Sequence, residues 1–433
     1  ISLPPAAERK ITPAQLHTFQ LDYASLKTAL LQAPMEFTPA ARQQPVLLNL
    51  PLADGSLHTF RVLESPVMAP ELMAKFPAIR TYAGSADDDS GLTVRLGVDY
   101  TGFYAYIFSQ ESGTQVVRPY ADGTSDFYMT YRQKDLSSEQ GNRFHCGVND
   151  NEVSLNPSKS EQAATERGAA PVILRKYRLA VVTQGEYAQF HGGTKQLVMS
   201  AITQAVNYIV KIQERDWAVR LELIPNNDTL VYLDPATDPY TGGGLIPDWI
   251  GDNPGAINPL VGINNYDIGH LFSRVNNPTG IYVAGQAGGV TCDQFSKAVA
   301  GSSLPEPIGE EFYLIIAHEM GHQFSASHTF NSCPSSAGQT SGQTAYEPGG
   351  GSTIMGYTVC DTDNIPGGRD DYFHVGNIEQ VVNFLTLGSG STCGEAIVTG
   401  NNAPEVSIPL TDDFYIPIST PFTLNGNATD QDG

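Results

Sequence analysis

The chain has 433 residues, 41 % of them hydrophobic, which is enough for sizeable cores and two or three domains. Lys and Arg total 24 against 46 Asp and Glu, and the net charge of −22 argues against nucleic acid and anionic membrane surfaces as partners. No apolar run reaches the roughly 18 residues of a membrane span, and no signal peptide is visible before Ile1, so the chain is expected to be a processed or trimmed form.

Residues 11–33 form a candidate helix opened by Thr12 and Pro13. Short runs rich in Val, Leu, Tyr and Phe follow at 46–52, 57–65, 92–98, 102–108, 114–120 and 126–132, separated by turn residues such as Ala53-Asp54-Gly55. They read as an antiparallel β domain ending near Asp135, with no histidine cluster, paired-carboxylate signature or phosphate loop. Asp87, Asp88 and Asp89 read as a solvated loop, although acidic loops of this kind are able to hold calcium. Arg143 to Asp150 then reads RFHCGVND and carries Cys146. Residues 151–170 are polar and Ser/Ala-rich, which is linker composition; Arg167-Gly168 is a candidate exposed cleavage point for a trypsin-like activity, the alternative being an interdomain linker that is never cut.

At Val172 the pattern changes. Residues 177–182 read as a buried strand and 218–224 as another. Between them, 194–214 is an amphipathic helix whose stripe is Leu197, Val198, Ala201, Ile202, Ala205, Tyr208, Ile209 and Ile212. A strand–helix–strand order implies a parallel pair with a right-handed crossover. Loops rich in Gly, Asp, Asn and Pro occupy 225–264, and 266–272 and 280–288 read as strands.

Residues 310–328 read EEFYLIIAHEMGHQFSASH. Apolar Phe312, Leu314, Ile315, Ile316 and Met320 recur at helical spacing, behind acidic Glu310 and Glu311 in the first turn. His318 and His322 lie four apart, one turn up the same face, so both imidazoles can reach one metal ion. His328 joins them only if the chain reverses after Phe324. Three neutral imidazoles leave the fourth tetrahedral position for water, the layout of a catalytic zinc site rather than a closed structural one. Glu319, beside the first histidine, is placed to take that water's proton. Met355 follows in STIMGY, 375–385 reads as a helix, and 398–433 alternates short strands with Pro and Asn turns.

Five cysteines remain to be placed. Cys292, Cys333, Cys360 and Cys393 suggest two disulfides and an oxidising compartment, and Cys146 is left over. Four cysteines allow three pairings, among which spacing does not choose.

The HExxHxxxxxH spacing followed by STIMGY resembles the metzincin metallopeptidases, whose pattern is HExxHxxGxxH and a Met-turn. Across roughly 172–397, the order of elements resembles the reprolysin (adamalysin) branch, anchored by YDIGH, the zinc motif, HTFNSC, the Met-turn and STCG. The resemblance implies an α+β/α/β chain: a β-rich pro-domain, a catalytic domain with a twisted mixed sheet and an active-site helix, then the truncated start of an immunoglobulin- or cadherin-like β-sandwich. Its implied boundaries are 1–150 for the pro-domain, 151–171 for a linker with the activation cleavage, 172–397 for the catalytic domain and 398–433 for the sandwich.

The resemblance also assigns roles. Zinc would sit on His318, His322 and His328, with Glu319 as the base and Met355 as the apolar floor. Gly280, Ile281, Tyr282, Val283, Ala284 and Gly285 would form the strand lying antiparallel to an extended protein or peptide substrate. Tyr357 would contact zinc or the transition state, as in astacin and serralysin relatives, or form a wall of the pocket. The implied disulfides are Cys292–Cys393 and Cys333–Cys360; a Cys333–Cys393 bond would favour another branch, such as the pappalysins or astacins. Cys146-Gly147-Val148 resembles the cysteine switch, in which a pro-domain thiolate on zinc keeps a secreted zymogen latent.

Two positions depart from these patterns. Ser325 stands where the family has a glycine, so the left-handed helix end is expected at some strain. His145 rather than Arg precedes Cys146, and Arg143 is three before it, so the matrix-family Arg–Asp clasp is not expected with Asp150. His270 in YDIGH is expected to be structural, because a fourth imidazole would close the open position. The competing reading is an adhesion or binding protein with a structural or vestigial zinc site, against which the intact Glu319 counts.

Overall fold

The computed structural model describes residues 9–88, 90–123, 126–136, 144–150, 171–240, 246–276, 282–357, 360, 362–365, 369–408, 415–423 and 425–430. Asp89, Arg143, the 151–170 linker with Arg167 and Gly168, and Gly280 and Ile281 of the expected substrate strand lie outside these residues.

The N-terminal β runs assemble into one antiparallel sheet. Its strands are β1 (His17–Gln20), β2 (Val46–Pro51), β3 (Leu57–Glu64), β4 (Arg80–Ala86), β5 (Thr93–Asp99), β6 (Gly102–Phe108), β7 (Gln115–Pro119) and β8 (Phe127–Arg132), in the order β1-β8-β7-β6-β5-β4-β3-β2. Side chains alternate across a strand, and β6 shows why its sequence is apolar throughout. Phe103, Ala105 and Ile107 face one core, with Leu26 and Leu30 of α1 (Tyr23–Leu30). Tyr104, Tyr106 and Phe108 face a second core, shared with the rest of the chain.

The helix expected over 11–33 is much shorter than that. Asp22 caps Ser25 N at 3.0 Å, which starts α1 at Tyr23, and His17–Gln20 is instead the edge strand β1, paired with β8. Two short helices, α2 (Pro39–Gln43) and α3 (Pro70–Lys75), and strand β4 were not foreseen. The Ala, Gly and Ser of β4 carry little strand propensity; pairing with β3 and β5 on both sides recruits it.

The second sheet is mixed. Its strands are β9 (Phe144–Cys146), β10 (Pro171–Thr183), β11 (Val219–Leu223), β12 (Ile268–Arg274), β13 (Tyr282–Ala287), β14 (Ala300–Leu304) and β15 (Glu395–Asn402). The order is β11-β10-β12-β14-β13-β9, with β15 antiparallel to the start of β10. β10, β11, β12 and β14 are parallel, and β13 returns antiparallel to β14. Helices α4 (Gly185–Phe190) and α5 (Lys195–Trp217) lie in the β10–β11 crossover. α6 (Ile246–Trp249) and α7 (Asn253–Val261) interrupt the expected loops, and α8 (Gly309–Gln323) and α9 (Val375–Thr386) lie between β14 and β15 in the chain.

Residues 1–150 reach both edges of this sheet. At β11, Leu223 N donates to Val67 O and Ala69 N to Leu223 O, each at 2.9 Å. At the other edge β9 runs parallel to β13, with Tyr282 opposite Phe144 and Gly285 opposite Cys146. The expected antiparallel substrate partner of β13 therefore meets an edge already taken by a strand of opposite direction.

Helix α5 is buried on two faces. Its apolar stripe packs in the common core. Its other face is polar and meets the N-terminal sheet: Gln204 Nε2 donates to Asp99 at 2.8 Å, Asn207 Nδ2 to Leu96 O at 3.1 Å, and Glu214 pairs with Arg95 at 2.5 Å. The boundary expected at 397/398 falls inside β15, which completes the second sheet. Beyond it, β16 (Glu405–Ser407) and β17 (Asn427–Thr429) form an exposed antiparallel pair.

Candidate active site

Helix α8 holds His318 and His322 one turn apart, with ring centroids 5.0 Å apart. The helix ends at Phe324, and Ser325 takes a left-handed φ of 71°. Ala326 N donates back to Gly321 O at 2.9 Å, which closes the turn. The reversed chain returns His328 to within 4.6 Å of the His322 ring and 5.1 Å of the His318 ring. Met355 lies beneath, fully buried, against α8 at Gly321; a Cβ there would stand 2.7 Å from Met355 Sδ, so only glycine admits the methionine.

Each imidazole is oriented through Nδ1. His318 Nδ1 donates to Ile354 O at 2.7 Å, His322 Nδ1 to Ala326 O at 2.8 Å, and His328 Nδ1 to Asp150 Oδ2 at 2.9 Å. These partners only accept, so each Nδ1 carries a proton and each Nε2 is the atom left to face a metal. His318 Nε2 is buried without a hydrogen-bond partner. Burial, then neighbouring imidazoles, holds His318 well below the usual histidine range and His322 at about 3, so both rings are neutral.

Cys146 completes the group. Its ligand atom and those of His318, His322 and His328 lie within 4.8 Å of one another, and all four residues are buried. Cys146 Sγ is 3.5 Å from His322 Nε2, 3.6 Å from Glu319 Oε2 and 3.3 Å from Val148 N. Burial and then Glu319 push the thiol well up, and a dication between thiol and imidazoles would reverse this. Three converging Nε2 atoms, one of them orphaned, and a thiol suit zinc.

Glu319 sits on α8 against β13, where a Cβ on Gly285 would come within 2.3 Å of Oε1. Desolvation raises its carboxyl to about 8 while β9 covers it. Tyr357 OH lies 3.2 Å from His328 Nε2, accepts from Cys146 N at 3.2 Å and donates to Gln339 Oε1 at 2.9 Å. Gln339 Nε2 in turn donates to Cys146 O. His270 stays outside the cluster, fully buried between Gln323 Oε1 at 2.9 Å and Ser302 Oγ at 3.0 Å.

Tyr282, Val283, Ala284 and Gly285 lie on β13, beside Cys146 rather than free. Disulfides join Cys292 to Cys393 and Cys333 to Cys360, and Cys146 is in none. The second disulfide packs with Phe330, Tyr357, Cys146 and Val148. Asp87 pairs with Arg61 and Asp88 with His58. Asp150 and Gln339 were not foreseen as partners of the site; only the nearness of Asp150 to Cys146 in the chain pointed that way.

Residues 174–385 match the family described as metallo-peptidase family M12B, reprolysin-like. A crystal structure of metalloproteinase-II from Bacteroides fragilis is similar over 84 % of this chain and 96 % of its own, at 10 % identity and a TM-score of 0.42. No curated protein sequence matches.

Proposed function

Residues 174–385 are a zinc metallopeptidase domain of the reprolysin-like M12B family, and we propose that this chain is the latent precursor of a secreted endopeptidase. In that reading 1–150 is an inhibitory pro-domain, 151–171 a linker cut near Arg167, and 172 onwards the enzyme. The observation that carries it is the buried convergence of His318, His322 and His328 with a thiol from the N-terminal segment. Two disulfides support an oxidising, extracellular setting, and among the described residues no helix is long and apolar enough to cross a membrane.

Three Nε2 atoms would hold the metal, and Cys146 would fill the remaining position. Bound zinc would supply Lewis acidity toward the scissile carbonyl and acidify water. Cys146 excludes that water, so Glu319 has no proton to take. Once residues 144–150 withdraw, the β13 edge is free to pair with the backbone of an extended peptide. Glu319 then accepts the proton of the attacking water and passes it to the leaving amine. The Tyr357 hydroxyl, 3.2 Å from His328 Nε2, is placed to donate to the oxygen that gains charge.

The test uses the processed enzyme on a quenched fluorescent peptide. Glu319→Ala should lower hydrolysis by about 10²–10⁴-fold with zinc content unchanged, and His318→Ala should lose both. Phenanthroline should silence the wild type. Undiminished hydrolysis in either variant would refute the reading.

A further inference from the structure

Each candidate histidine ligand donates its Nδ1–H to an acceptor, and the acceptors differ in origin. His318 and His322 use the carbonyls of Ile354 and Ala326, inside the metallopeptidase domain. His328 uses a carboxylate from outside it, Asp150, four residues after Cys146. Asp150 Oδ2 also accepts from His328 backbone N at 2.8 Å, so one oxygen fixes both the ring and the backbone of the third histidine. The contact is dry: side-chain exposure is 0 % for His328 and 3 % for Asp150.

We propose that Asp150 is a positioning residue of the latent metal centre, which makes the precursor hold its metal more tightly than the processed enzyme does. The proposal rests on the latent reading of Cys146. Its first ground is geometry. An acceptor on Nδ1 fixes the tautomer and the ring plane that present Nε2, and a carboxylate there makes the imidazole a stronger donor. Its second ground is charge. A dication among neutral imidazoles is an expensive charge to bury. One thiolate and one carboxylate cancel it, and residues 146–150 bring both. When this segment leaves, the centre loses a ligand, the orienting partner of a second ligand and both compensating charges at once. The same withdrawal that opens the coordination position therefore leaves a more electrophilic and less firmly held ion.

The experiment measures zinc release from intact precursor to a fluorescent chelator, with gels confirming that the chain stays uncut. Asp150→Ala should release zinc about 10–100-fold faster than wild type, the usual effect of losing an outer carboxylate. Asp150→Asn, which can still accept from Nδ1–H but carries no charge, should fall between. In cobalt-loaded precursor the thiolate-to-cobalt absorption band should persist in both variants, showing that Cys146 stays bound and the segment folded. After linker cleavage and removal of the N-terminal fragment, wild type and Asp150→Ala should release zinc at the same rate. Wild-type release from the Asp150→Ala precursor would overturn the proposal. So would loss of the cobalt–thiolate band in Asp150→Asn, which would make the residue a prop of the segment fold. Failure of the latent reading looks different: the wild-type precursor itself would then show no cobalt–thiolate band.

Discussion

Residues 1–150 meet the metallopeptidase domain through two contacts of opposite character. The first is broad and structural. Tyr104, Tyr106, Phe108, Met129 and Tyr131 share one core with α5 and α8, and the Tyr106 ring lies 5.1 Å from Tyr208 and 6.1 Å from Tyr313. Charged groups meet within it: buried Arg95 with half-buried Glu214, and Tyr131 OH donating to Glu310 at 3.0 Å beside Arg118. The second contact is narrow. Residues 144–150 touch His322, His328, Glu319, Tyr357 and Gln339, which are the candidate chemical groups. Burial of apolar and aromatic surface supplies affinity, at roughly 25 cal/mol per Å², and under the proposed latent reading the segment in the cleft would supply occlusion. In the proposed latent precursor, holding and silencing would thus be separate tasks of separate residues. The polar face of α5 would make such a hold releasable in the proposed precursor, because Gln204, Asn207 and Glu214 would meet water if the sheet departed.

This division can be broken at either contact. The largest effect belongs to Cys146→Ser: the uncut precursor should gain peptidase activity by about two orders of magnitude, equivalent to roughly 3 kcal/mol of lost occlusion, with its urea unfolding midpoint nearly unmoved. A silent, full-length Cys146→Ser precursor would end the comparison. Next comes Arg95→Ala, which removes a buried cation from the broad contact and leaves Glu214 with Arg220 as its remaining partner. Losing a hydrogen bond to a charged group costs about 1.5–3 kcal/mol, read as a lower unfolding midpoint. The surviving folded precursor should stay latent, because nothing at the cleft has changed. The smallest effect comes from Ser325→Gly, outside both contacts. Relief of the left-handed strain should add about 1 kcal/mol, equally in precursor and processed enzyme; a gain confined to one form would tie the α8 turn to one contact.

The sequence made the α8 motif, the α5 stripe and Cys146 legible, because each is a local pattern: a helical repeat, or a residue type with one chemistry. What it hid are pairings between distant segments. β14 reads Ala-Gly-Ser-Ser-Leu and has no strand propensity, yet all five residues are buried, and the small Ser302 leaves its hydroxyl for His270. β1 has helix-compatible residues and becomes a strand because β8 offers an edge. The two-sided burial of β6 shows in sequence only as continuous apolarity, which does not say what lies on each face. Asp150 reads as an ordinary acid until the fold delivers the His328 ring to it.

The N-terminal region's hold on both margins of the second sheet, at β11 through residues 67–69 and at β13 through β9, has a consequence for biogenesis. A sheet margin with unpaired N–H and C=O groups is a template for another chain, and slow-forming mixed sheets expose theirs for longest. Here the covering strands are made first by the ribosome and are waiting when the later strands emerge. A nascent domain that would otherwise offer two sticky borders to its neighbours meets its own chain at each of them. In the proposed activation, departure of residues 1–150 would uncover both borders, and a substrate backbone could then pair with the one at β13.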